Sequence, residues 1–217
     1  MFSIGPGTSL DPKKDPLPVS IFGLASCNPI CLRMKDCTYQ EEIQYLISNE
    51  ARNKFIKNLA VSLGNNTLIL YQMVEKHGEI LYNMIKNTEK IGDRKVFFVH
   101  GGTDTNDREE IRQIMEKEND AIVVASYGTF STGINIRNLH NIIFASPSKS
   151  RIRNLQSIGR GLRKSDGKDR ATLYDIADDM RYKKHMNFTL KHFVERTKIY
   201  TDEQFPFKIY KIGLKNG

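Results

Sequence analysis

Two arginines three residues apart, Arg160 and Arg163, are the residues in this 217-residue chain best suited to phosphate chemistry. They lie in the segment QSIGRGLR, residues 156–163, which also contains Gln156 and two glycines. Arginine presents a planar, permanently charged group whose donors match phosphate oxygens. A glycine within a helix costs about 1 kcal/mol relative to alanine, so glycines at these positions indicate a packing or ligand requirement. The segment therefore predicts contact with a phosphorylated ligand.

A second segment with glycines and hydroxyl side chains is ASYGTFSTGIN, residues 125–135. It follows an apolar run, and a loop that leads into a short helix can present N–H groups to an anion. Ser126 and Thr129 supply hydroxyls, which makes them candidate ligand contacts. The spacing of its two glycines resembles that of a P-loop, but Ile134 stands where that motif requires lysine. The segment is thus either an ordinary strand-to-helix turn or part of a phosphate site without a P-loop.

The third candidate is the loop His100-Gly101-Gly102-Thr103, which follows another apolar run. Two adjacent glycines allow a phosphodiester to approach the backbone closely. A tight turn before a helix explains the same residues, and His100 by itself is more typical of a packing residue than of a catalyst.

Strand-like and helix-like stretches alternate along the chain and would position these loops. Apolar runs typical of buried strands occupy residues 67–71, 95–99, 121–125, 141–145 and 171–176, with a possible further strand at 30–34. Helical patterns occupy residues 38–47, 48–63, 75–86, 107–117 and 150–162, the first opened by the capping box TYQE. This order predicts an α/β fold, a parallel sheet with helices on both faces. Ligands bind such sheets at the carboxyl ends of the strands, where the loops at residues 72–74, 100–103, 126–135 and 146–149 are expected to lie together.

Proline and glycine divide the chain into three parts. Four of its seven prolines lie within residues 1–20, so residues 1–29 are predicted to be a flexible leader or linker remnant. Residues 30–180 form the predicted α/β lobe. Residues 181–217 form a predicted extension packed on that lobe, a helix at 187–200 followed by an edge strand at 205–212.

Charge and composition indicate a cytoplasmic protein with a polyanionic partner. The net charge is +8, and residues 149–170 carry eight Lys and Arg against two Asp. A solvated helix face would explain such a cluster, but its overlap with the glycine-containing motif favours nucleic acid. No apolar run is long enough for a membrane span, and no secretory signal is recognised. The three cysteines are interpreted as free thiols of a protein in a reducing compartment. A zinc site would need a fourth ligand, which no nearby histidine supplies.

In this order and spacing, the motifs resemble those of the second RecA-like lobe of superfamily 2 helicases. Residues 125–135 resemble motif V, residues 156–163 resemble motif VI in its Q-x-x-G-R-x-x-R form, and residues 67–73 stand where motif IV belongs. The likeness is strongest to recombination helicases of T-even-like phages, through the segments 38–43, 125–134 and 190–192. It implies a RecA-like fold, a phage origin and action on DNA in the cytoplasm of the host cell.

The resemblance also implies residue roles. Arg163 is the expected arginine finger, Arg160 a second phosphate-sensing arginine, and Gln156 a residue that positions nucleotide or water. Gly133 and Asn135 are expected beside the nucleotide, although many relatives have aspartate at the position of Asn135. The expected contacts with the nucleic-acid backbone are His100, Gly101, Gly102, Thr103, Ser126 and Thr129.

The chain lacks a Walker A lysine and an acidic helicase box, which in that family lie on the first lobe and bind ATP with Mg²⁺. The resemblance therefore implies half of a motor, a monomer that is inactive as an ATPase without its N-terminal RecA-like lobe. It leaves open an RNA helicase lobe, since the motifs do not choose between sugars. Two alternatives remain outside this class: a non-catalytic module that binds or anneals nucleic acid, and a plain α/β scaffold.

Overall fold

A seven-stranded sheet runs through the computed structural model, which describes residues 19–26, 37–133, 136, 138–146, 171–181, 183–202 and 204–214. The strands are β1 (Val19–Ser26), β2 (Thr67–Tyr71), β3 (Lys95–Val99), β4 (Ala121–Ser126), β5 (Asn141–Phe144), β6 (Thr172–Asp179) and β7 (Phe207–Leu214). Their spatial order is β3-β4-β2-β5-β6-β1-β7, and each neighbouring pair is parallel. The predicted parallel α/β sheet is confirmed.

Six α-helices accompany the sheet in the described ranges. They are α1 (Tyr39–Ser48), α2 (Glu50–Ser62), α3 (Glu79–Lys86), α4 (Thr105–Lys117), α5 (Tyr127–Gly133) and α6 (Phe188–Asp202). The predicted capping box opens α1, because the Thr38 hydroxyl accepts the Glu41 N–H and the Glu41 carboxylate accepts the Thr38 N–H. These two bonds satisfy donors that the first turn of a helix leaves free.

The core lies on both faces of the sheet, as the alternation of side chains along β4 illustrates. Val123 packs on the face that carries Met115 of α4 and Tyr200 of α6. Ile122 and Val124 pack on the other face, against apolar side chains of α2 and α3 such as Leu59. Helices therefore cover both faces, which explains why every residue of β2 and β4 is buried.

The prediction of a flexible leader is wrong for residues 19–26. This segment forms β1, which inserts between β6 and β7 and pairs with both in parallel. The prolines that precede β1 predicted irregular structure. Its partner strands lie about 150 residues or more further along the chain, so no pattern in the neighbouring sequence indicates that this segment is a strand. The tail strand β7 is at the edge of the sheet, as predicted, and among the described strands it pairs with β1.

Other elements differ from the predictions at their ends. The helix expected at residues 75–86 begins with a π-helical turn, Val74–Gly78, before α3. Gly78 in this turn lies against the ring of Tyr71, and a Cβ on residue 78 would overlap that ring. Helix α4 starts at Thr105, two residues early, because Asp104 caps it. The strand expected at 30–34 and the helix expected at 150–162 lie outside the described residues.

Candidate nucleic-acid interface

The predicted ATP-side residues lie largely outside the described ranges. Gln156, Arg160, Arg163 and Asn135 belong to segments of which the structure describes nothing, as does the basic cluster at residues 149–170. Gly133 is the last residue of α5. The roles assigned to these residues therefore stay predictions.

The two loops predicted to contact nucleic acid follow neighbouring strands and lie at the same edge of the sheet. Val99, the last residue of β3, is in register with Ala125 of β4. His100 therefore follows β3 at the level of Ser126, the last residue of β4. Ser126 is in turn in register with Tyr71, the last residue of β2. The fold thus brings the two predicted loops together at the carboxyl edge.

The loop at residues 100–103 is held in a fixed turn by its own groups. The Thr103 N–H donates to the His100 carbonyl oxygen over 3.0 Å, and the His100 N–H donates to the Thr103 hydroxyl over 3.0 Å. The Gly102 N–H donates to His100 Nδ1 over 3.1 Å, and Arg108 Nη2 donates to the Gly101 carbonyl oxygen over 2.8 Å. The loop therefore presents a preformed surface.

Gly101 is exposed in that turn, as Gly102 is, and the fold itself does not explain why residue 101 is glycine. A Cβ at this position would meet no heavy atom within 4 Å. Its φ angle is not positive, so an L-residue would fit without strain. A glycine that neither backbone strain nor neighbouring atoms require is consistent with close approach of a ligand.

The turn after β4 differs from the prediction in which atoms it exposes. The Ser126 and Thr129 hydroxyls are 2.7 Å apart, and the Thr129 N–H donates to Ser126 Oγ over 3.3 Å. Both side chains are buried, so these hydroxyls fasten the start of α5 rather than point to solvent. Gly128 is the exposed residue between them, and a Cβ there would also meet no atom within 4 Å.

A buried polar network that the sequence did not reveal lies at the same edge. Ser146, just beyond β5, accepts the Gln72 N–H over 3.2 Å, and its hydroxyl lies 3.0 Å from His77 Nδ1. Tyr127 donates its hydroxyl to the Ser146 carbonyl oxygen over 3.0 Å. Burial, and secondarily the charge of Arg52, lower the pKa of His77 to about 3. A neutral imidazole therefore joins the segment after β2 to the segment after β5.

Two of the three aspartates of β6, Asp175 and Asp178, form buried ion pairs. Arg52 of α2 forms a bidentate pair with Asp178, with nitrogen–oxygen distances of 2.7 and 3.0 Å. Arg196 of α6 binds Asp175 in the same way, at 2.8 and 2.9 Å. Burial alone would lower the pKa of Arg196, but the Asp175 carboxylate raises it above its usual value. Charged residues in an apolar strand signal such pairing, because an unpaired buried charge is very costly.

In the part of the chain that the structure describes, no group of three or more His, Cys, Asp or Glu is placed to hold a metal ion. None of the described helices is both long enough and apolar enough to cross a membrane.

The parallel sheet, the helices on its two faces and the loops at its carboxyl edge define a RecA-like domain. Residues 50–165 match the family described as the helicase conserved C-terminal domain, and the chain belongs to that family. It is 37% identical over 195 residues to the ATP-dependent DNA helicase uvsW of Enterobacteria phage T4. That similarity covers 84% of this chain and 38% of the relative, so the chain spans well under half of that protein's length.

Solved structures show the same fold. The crystal structure of T4 UvsW matches with a TM-score of 0.78 and 34% identity, over 92% of this chain and 42% of that one. The C-terminal domain of the DEAD-box protein Dbp5 matches with a TM-score of 0.56 over 89% of this chain and 90% of that one. At 13% identity, the second likeness concerns the fold alone. The expected C-terminal lobe of a superfamily 2 helicase is thereby confirmed.

Proposed function

We propose that this chain is the C-terminal motor lobe of an ATP-dependent DNA helicase or translocase that acts on branched DNA in recombination, repair or replication restart. The family and the 37% identical DNA helicase support the class of activity. The observation that carries the DNA contact is the pair of exposed glycines, Gly101 and Gly128, on adjacent loops at the carboxyl edge. Backbone contacts of this kind bind phosphates without reading sequence.

In this proposal the ATP site forms between two lobes. An N-terminal RecA-like lobe binds ATP with Mg²⁺, and this chain supplies Arg163 as arginine finger with Arg160 and Gln156 beside it. Gly133 and Asn135 lie next to the nucleotide. Closure of the lobes on ATP tightens the grip on DNA, and hydrolysis releases it. The working protein is a monomer in the cytoplasm of the host cell.

The ATP-site proposal is tested by measuring ATP turnover of the chain alone and of a two-lobe protein that joins it to an N-terminal RecA-like lobe. The chain alone is expected to be inactive. Arg163→Ala in the two-lobe protein is expected to lower turnover by about 10³-fold or more, the usual effect of losing an arginine finger. Arg112→Ala, which removes a half-buried arginine of α4 that pairs with Glu109, is the matched control and should leave turnover unchanged.

The conservative variants Arg160→Lys and Arg163→Lys keep the charge but lose the bidentate geometry. Unchanged turnover in both would refute the finger assignment. ATP hydrolysis by the chain alone, abolished by Arg163→Ala, would refute the division of the site between two lobes.

The substrate is tested by filter binding of forked DNA, linear DNA and RNA of equal length to the two-lobe protein. Tighter binding of forked DNA is expected, with an affinity that falls steeply with salt because the contacts are to phosphates. Preference for RNA would favour the RNA helicase alternative. Binding of DNA without any ATP turnover in the two-lobe protein would favour a non-catalytic binding or annealing module.

A further inference from the structure

A row of aromatic rings runs along one face of the edge strand β3 and ends at the loop of residues 100–103. Tyr71, which is fully buried, stacks on Phe98 with ring centroids 5.7 Å apart and an interplanar angle of 15°. Tyr82 of α3 also stacks on Phe98, at 5.2 Å and 27°. His100 continues the row with its ring 5.3 Å from that of Phe98. The row therefore extends from the core to the carboxyl edge.

The outer rings of this row are only partly covered. Tyr82, Phe98 and His100 are each half-buried, whereas Tyr71 is fully buried. Phe98 and His100 lie on or just beyond β3, and among the described residues no further strand pairs with the outer side of β3. The imidazole of His100 is fixed in orientation, because its Nδ1 accepts the Gly102 N–H. A ring that is held rigidly and partly exposed loses little entropy when a flat ligand stacks on it.

Two cationic groups lie near these rings. Lys86 Nζ lies 5.3 Å from the centroid of the Tyr82 ring and donates to the Tyr82 hydroxyl over 3.0 Å. Arg108 donates to the carbonyl oxygen of Gly101, the residue that follows His100. Asp104 follows the loop, but its carboxylate is engaged with the Asn106 N–H of α4. Flat rings with cations nearby suit a nucleotide strand, whose bases stack while its phosphates meet the charges.

We propose that His100, supported by Phe98 and Tyr82, is a stacking surface for an unpaired base of a DNA strand whose backbone passes over Gly101. This inference rests on the proposed function, since it adds a base contact to a lobe proposed to hold DNA by its phosphates. Every base has a π face, so the contact favours single-stranded over paired DNA without favouring a sequence.

The test compares two single strands of equal length in anisotropy titrations of the whole chain at low salt: oligothymidylate and the same backbone without bases. The wild-type chain is expected to bind oligothymidylate about tenfold more tightly than the abasic strand, in keeping with one or two stacked bases. His100→Ala is expected to remove most of that difference, whatever its effect on binding of the abasic strand. His100→Phe retains a stacking ring and is expected to keep the difference.

His140→Ala is the matched control, because His140 directly precedes β5 and so lies at the amino ends of the strands, away from the carboxyl edge. This variant should leave both affinities unchanged. Equal wild-type affinity for the two strands would overturn the stacking proposal while leaving phosphate binding in place. The stacking proposal would also be overturned if His100→Ala and His100→Phe lost the preference for oligothymidylate to the same extent, because that result would indicate a hydrogen bond from the imidazole. Binding of neither strand would refute the proposed DNA-binding function itself, and the stacking contact with it.

Discussion

Replacing Gly128 with alanine is expected to change stability and DNA affinity in opposite directions. Gly128 lies in the first turn of α5, is exposed, and would carry a Cβ without any heavy atom within 4 Å. The fold therefore tolerates the methyl group, and alanine is the better helix former by up to about 1 kcal/mol. A gain of 0.5–1 kcal/mol corresponds to an increase in Tm of roughly 1–4 °C for a domain of this size.

The same methyl group would separate the exposed backbone of the turn from a phosphate that contacts it. Loss of one such contact is expected to weaken binding of single-stranded DNA by about tenfold, which corresponds to about 1.4 kcal/mol. Thermal unfolding measures the first effect, and an anisotropy titration at low salt measures the second. Gly213→Ala is the matched control, because Gly213 is exposed in β7 and a Cβ there also meets no atom within 4 Å.

Two results would refute this reasoning. A variant that is more stable but binds DNA with unchanged affinity would show that the turn after β4 does not contact the strand. A variant with a lower Tm would show that the fold requires glycine at position 128, so that this glycine would no longer indicate close approach of a ligand.

Three further predictions concern buried residues. The pKa of His77 is lowered to about 3 in the folded chain, so as pH falls the unfolded chain takes up this proton first. The free energy of unfolding therefore decreases as pH falls from about 6.5 toward 3, and between pH 7 and 5 this decrease is about 2 kcal/mol. Urea unfolding of His77→Gln at both pH values should lack this contribution, and an unchanged pH dependence would contradict it. Gly78→Ala is expected to cost roughly 1–3 kcal/mol, because its Cβ would overlap the Tyr71 ring; a Tm equal to that of the wild type would argue against this packing. Arg196→Met leaves the Asp175 carboxylate buried and unpaired, and denaturant unfolding should show a loss of about 3–5 kcal/mol, which Asp175→Asn in the same background should partly reverse.

Much of the described fold could be predicted because the evidence is local. The run at Thr67–Tyr71 is apolar over its whole length, as a central parallel strand must be, and the structure places it between β4 and β5. The Thr38 capping box marks the start of α1 within a few residues, since all the bonded groups lie in one turn. The two glycine-containing loops were assigned to the same edge because parallel strands place their carboxyl ends together.

Features that depend on distant residues could not be predicted. Segment Val19–Ser26 becomes a strand because β6 and β7 supply partners on both sides, and its own sequence does not identify them. The hydroxyls of Ser126 and Thr129 were expected to contact DNA, but burial turns them toward each other and leaves Gly128 exposed. A hydroxyl is equally able to bind a ligand or a neighbouring side chain, and only its surroundings decide between them.

The sequence by itself therefore determined the fold class, the order of the motifs and the edge of the sheet where they meet, because periodicity and spacing are properties of neighbouring residues. The tertiary structure alone decided which atoms reach that edge. It joined His77 to Ser146 across 69 residues of sequence and extended the buried stack of Tyr71 and Phe98 to His100. Such contacts depend on how strands far apart in the chain are placed side by side, and no local pattern encodes that placement.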